Sequence, residues 1–152
     1  MTRRTAHAAV TALTLLGPAI ANAHVSIWPR ESTAGATERY VVRIPTEGKV
    51  ATVAADLEVP EGVLVQTLQA PAGWTYDVTR QNERIATIKW TMDVKPGEFI
   101  EVAFVALNPR DKTELVWKLR QHFADGTSTD WTTGPNGTRP TAVTKLAPRR
   151  EP

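Results

Sequence analysis

The apolar positions of this chain recur at every second residue, in short runs broken by turn residues. Runs of that period predict β-strands with one buried face. In "VATVAADLEV", Val53, Ala55, Leu57 and Val59 alternate against Thr52, Ala54, Asp56 and Glu58, and the run stops at "PEG". "ERYVVRI" ends at Pro45, "VLVQTLQ" at "PAG", "WTYDVT" at "RQNE", and "RIATIKW" ahead of "DVKPG". "EFIEVAFVAL" is apolar on both faces except at Glu101, which predicts a strand covered on both sides, and it ends at Asn108-Pro109. "ELVWKLRQHF" puts Leu115, Trp117, Leu119, Gln121 and Phe123 in one register, and Glu114, Lys118, Arg120 and His122 in the other. No capped 3.6-residue pattern is long enough for a helix, although "PRDKTEL" has room for one helical turn. From about Gly134 onward, Pro, Gly and Thr predict a loosely packed tail. Half-apolar strands in this number are buried most simply as an all-β, two-sheet antiparallel β-sandwich.

The first 23 residues break the pattern and read as a secretory signal. Arg3 and Arg4 form a positive start, "AAVTALTLLGPAI" is the apolar stretch, and Ala21-Asn22-Ala23 is a small-x-small cleavage site. The stretch is shorter than the roughly 20 residues of a membrane span. Removing 23 residues from 152 leaves 129, enough for one core. The expected organisation is a signal peptide over 1–23, a sandwich domain over 24–147, and a short tail over 148–152. The leader carries two of the 18 basic residues and none of the 16 acidic ones, so the remainder is formally neutral. A neutral chain of mixed charge argues against a grip on nucleic acid or anionic membrane. There is no cysteine, hence neither a disulfide nor a thiolate ligand.

Cleavage after Ala23 would give His24 a free α-amino group beside its imidazole. That amine has a reference pKa of about 7.7–8.0, so a metal displaces its proton near neutrality. The amine and the nearer ring nitrogen close one chelate ring, a bite that suits Cu(II). The bland alternative is a histidine left at the terminus by the peptidase. Two nitrogens do not make a tight site, so further ligands must come from elsewhere in the chain. His122 faces outward by alternation and reads as a solvated histidine. Glu98 opens a strand just after the turn "KPG", a place where binding residues often sit; otherwise it is an ordinary charged strand start. Met92, beside Trp90, is explained by core packing. Nitrogen and oxygen donors without sulfur favour oxidised copper. Of the five tryptophans, Trp74, Trp90 and Trp117 read as core, whereas Trp28 and Trp131 are the candidates for a functional role. An indole gives a metal no lone pair, so its part would be shielding or tuning.

Four segments, in order, resemble the YcnI-like family of exported copper-binding proteins: "HVSIWPRESTAGATERYVVRIPTE", "PAGWTYDV", "IKWTMDVKPGEFIEVAFVALNP" and "RQHFADGTSTDWTTGP". The resemblance implies a cupredoxin- or immunoglobulin-like sandwich with a Cu(II) site of the single-histidine brace type. It makes His24 the brace, Glu98 of "PGEF" the carboxylate, with Glu31 in reserve, and Trp131 of "DWTTGP" the neighbouring indole, with Trp28 in reserve. Some relatives place the acid just before the glycine of that turn, where this chain has Pro96. The implied role is a periplasmic or secreted, non-enzymatic Cu(II) carrier in copper homeostasis, serving a membrane copper transporter or another exported carrier. The competing reading is a histidine-brace oxidative enzyme resembling lytic polysaccharide monooxygenases, which needs a second histidine. A third is an adhesion-like sandwich without metal.

Overall fold

A computed structural model of the chain describes residues 24–70, 72–132 and 142–149. Its elements are all strands: β1 (Ser26–Trp28), β2 (Glu31–Thr33), β3 (Thr37–Pro45), β4 (Thr52–Glu58), β5 (Leu64–Leu68), β6 (Thr75–Gln81), β7 (Arg84–Val94), β8 (Phe99–Leu107), β9 (Glu114–Phe123), β10 (Ser128–Trp131) and β11 (Ala142–Ala147). One sheet has the order β1-β3-β8-β5. The other runs β2-β11-β9-β4-β7-β6, with β10 also paired to β9. The alternation of the sequence is the cause of the sandwich. Tyr40, Val42, Ile44, Val102 and Phe104 of the first sheet face Leu57, Ile88, Trp90, Leu115 and Trp117 of the second, and all are buried. Tyr40, Phe104 and Trp117 form an aromatic centre with ring centroids 4.9–5.8 Å apart. Trp74 is half-buried against this core, and Met92 lies within it.

Four details depart from the sequence expectations. β4 carries a register shift between Thr52 and Ala54 on both of its flanks, so Thr52 turns inward and is fully buried instead of joining the polar face. β8 lies between β3 and β5, but its outer face is only partly covered: Phe99 is 58% exposed beneath Arg43. "PRDKTEL" forms no helical turn, because its residues run through bends into β9. The expected loose tail holds β11, antiparallel to β9 and parallel to β2, with Thr144 and Leu146 buried. The part of that tail covering 133–141 lies outside the described residues, as do the expected signal peptide over 1–23 and residues 150–152.

The chain changes sheets at the cis peptide Trp28–Pro29, with β1 in the first sheet and β2 in the second. Among the described residues no helix is long and apolar enough to cross a membrane.

Candidate metal centre

Val25 and Ile27 insert into the core and fix the start of β1. Ser26 pairs with Arg43, so extending the register by two residues brings His24 alongside Pro45, the last residue of β3. His24 as a whole is exposed. From the other sheet, β10 runs antiparallel to β9 with Trp131 opposite Leu119. On the outer surface of that pair, Arg120 grips Asp130 at 2.6 and 3.1 Å, and its hydrogen bonds hold the Asp130 carboxyl below the usual range. The next residue, Trp131, faces inward and is buried. Its indole meets the His24 imidazole edge to face, with centroids 5.7 Å apart and planes at 66°.

A buried polar chain lies beneath the indole. Trp131 Nε1 donates to Gln121 Oε1 at 3.1 Å. Gln121 Nε2 donates to the Pro45 carbonyl at 2.8 Å and to Thr52 Oγ1 at 2.6 Å. Thr46 Oγ1 lies 2.7 Å from Thr52 Oγ1 and 3.0 Å from the Val94 carbonyl. Each hydroxyl has one proton, so the consistent order is Gln121 to Thr52, Thr52 to Thr46, and Thr46 to Val94. Gln121 sat in the apolar register of the sequence, and this network is the reason. The bulge in β4 supplies Thr52, a placement that strict alternation does not predict.

The structure separates the carboxylate candidates. Glu98 comes to the same end of the sandwich, because Thr46 N–H donates to its carbonyl at 2.9 Å. Its side chain is exposed and folds back onto its own turn, accepting from Lys95 N–H at 3.1 Å. Glu31 is carried away from this end. It pairs with Lys145, which is level with Glu114, seven residues from Gln121 on the same strand, or roughly 23 Å at strand rise. Trp28 lies four residues along β1 from His24, about 13 Å, and is 45% exposed beneath Arg30. Glu47 was missed in the sequence. It directly follows Thr46 in the segment that leaves β3 beside His24, and one of its carboxylate oxygens is withdrawn from solvent. Its signal was the "TE" after "RIP", hidden because the segment is neither strand nor obvious turn.

His122 takes the outward register expected of it. There its Nε2 is 2.6 Å from Asp56 Oδ2, so it is paired and half-buried instead of solvated. Among the described residues, no group of three His, Cys, Asp or Glu side chains lies close enough to hold a metal ion.

Comparisons with known proteins agree with this architecture. The chain is 28% identical over 146 residues to the copper-binding protein CutI of Bacillus subtilis (strain 168), covering 94% of this chain and 72% of the relative. A Nocardia farcinica protein described as having an immunoglobulin-like fold superposes with a TM-score of 0.71 at 24% identity, over 82% of this chain and 98% of that one. A cohesin module from a Clostridium perfringens family 33 glycoside hydrolase gives 0.57 at 12% identity, over 84% and 97%. Both likenesses establish the immunoglobulin-like sandwich. The model of the family described as "Domain of unknown function (DUF1775)" matches residues 24–149, so the chain belongs to that family, the one its YcnI-like segments indicated.

Proposed function

We propose that this protein binds Cu(II) through the α-amine and imidazole of His24, once residues 1–23 are removed on export. It would then carry copper in the periplasm or outside the cell, as a homeostasis protein and not an enzyme. The observation that carries the reading is the exposed residue His24 with its ring against the buried Trp131 indole. That is the place where a newly freed amine would lie. Two further facts support it: the family match begins at residue 24, at the foreseen cleavage point, and a relative is named for copper binding. A nitrogen pair plus one carboxylate is a donor set that Cu(II) accepts. The buried indole beside it gives a low-dielectric wall that restricts water.

Two carboxylates compete for the remaining position. Glu98 remains the candidate from the resemblance. Glu47 is better placed, since it follows the Pro45–Thr46 segment beside His24 and holds an oxygen away from solvent. An oxidative enzyme of the brace type needs a second histidine. His122 is held by Asp56 on the outer face of β9, which argues against that role.

The test is titration of Cu(II) into protein beginning at His24, beside protein with one extra residue ahead of it. Strong binding by the first alone is expected, with affinity falling below about pH 7 because the amine must give up its proton to bind the metal. Equal uptake by both would overturn the proposal. Peroxide-driven oxidation of chitin or cellulose by the loaded protein would favour the enzyme reading.

A further inference from the structure

We propose that Gln121 is a positioning residue for the His24 site, holding the Trp131 indole in place through one face of its amide and the end of β3 through the other. This rests on the copper reading for its consequence, but not for its geometry. The amide of Gln121 is buried, and each of its polar atoms is engaged at 2.6–3.1 Å. Its oxygen takes the single proton of the indole, which fixes the ring's rotation. Its nitrogen clasps the Pro45 carbonyl, the backbone that His24 runs beside, and Thr52, which bonds onward to Thr46 next to Glu47. One side chain therefore joins the two structures that meet at His24: the indole from β10 and the segment leaving β3. Without it, the ring could rotate and the β3 end could drift independently.

The test starts from metal-free protein beginning at His24. The ring current of Trp131 should displace the His24 ring-proton signals in nuclear magnetic resonance spectra, and Trp131→Leu gives the undisplaced reference. In Gln121→Leu the signals should move toward that reference, and the Trp131 indole N–H signal should shift. Cu(II) should then bind roughly 10–100-fold more weakly, as for lost outer-sphere partners. Adding Gln121→Leu to Trp131→Leu should weaken binding little further, because the effect runs through the indole. A folded Gln121→Leu protein with unchanged His24 signals would overturn the proposal. So would an equal loss of Cu(II) affinity with and without Trp131.

If Gln121→Leu does not fold, Thr52→Val takes its place. It removes one anchor of the amide and should move the same signals by less; unchanged signals would overturn the proposal. Should the wild-type protein fail to bind Cu(II), the copper reading falls, while the His24 signals still decide the role of Gln121.

Discussion

Glu47 and Glu98 are alike in type and differ in their local surroundings. Both residues lie at the end of the sandwich near His24, but the Glu98 carboxylate accepts from its own turn and Glu47 has an oxygen turned from solvent. Glu47→Gln should weaken Cu(II) binding by roughly tenfold or more, whereas Glu98→Gln should leave it nearly unchanged; isothermal titration of the two variants checks this. The reverse ranking would return the role to Glu98.

A second residue-scale effect is independent of metal. Burial pushes the Tyr40 phenol up to about 12, and its hydroxyl donates to Asn108 Oδ1 at 2.6 Å. The proton is therefore held more tightly in the folded chain than in the unfolded one, where the value is about 10. The stability this gives is complete below pH 10 and is lost as pH rises toward 12. An ultraviolet titration should show Tyr40 ionising only together with unfolding. At this scale position and turn context in the sequence singled out His24 and Trp131, and the fold sets their rings 5.7 Å apart. Glu47 and the engagement of His122 by Asp56 were not legible there, since both depend on what lies across a strand.

At the scale of elements, alternation located the long strands and failed where one residue was added or few were present. The β4 bulge inverts the side of Thr52, which a count of every second residue cannot anticipate. Thr52→Val leaves Gln121 Nε2 and Thr46 short of a partner and should cost about 1–3 kcal/mol by thermal or chemical unfolding. β1, β2 and β10 were hidden by their length of three or four residues. They are too short for periodicity to register and are held by pairing with longer neighbours. β11 was hidden by its composition, a short run after a Pro- and Gly-rich stretch. Its burial makes it structural: Thr144 accepts the Trp117 indole proton at 3.1 Å, and Leu146 is in the core. Leu146→Ala should destabilise by about 2–5 kcal/mol, measured by urea unfolding; a change under half of that range would show β11 to be dispensable.

Over the whole molecule, the sandwich and the site are separable. The core is built from Val25 onward, so an extra residue ahead of His24 should leave the metal-free melting temperature unaltered. Copper at a hundredfold excess over its dissociation constant should add about 2.7 kcal/mol, or roughly 5–10 °C in melting temperature, to protein that begins at His24 and nothing to the blocked form. Calorimetry of the two proteins measures both at once. The sandwich was legible because its core follows from alternating strands. Which sheet each strand joins was not, since the order β2-β11-β9-β4-β7-β6 rests on contacts between distant parts of the chain.

One of those contacts orders events in time. Glu31–Thr33 is laid beside Lys145–Ala147, so the head of the domain is clasped by its tail. A polypeptide threaded head first has no lane for this segment until the final strand arrives. The edge at Glu31–Thr33, at the end of the sandwich away from His24, therefore docks last, whereas β1 can settle on β3 long before.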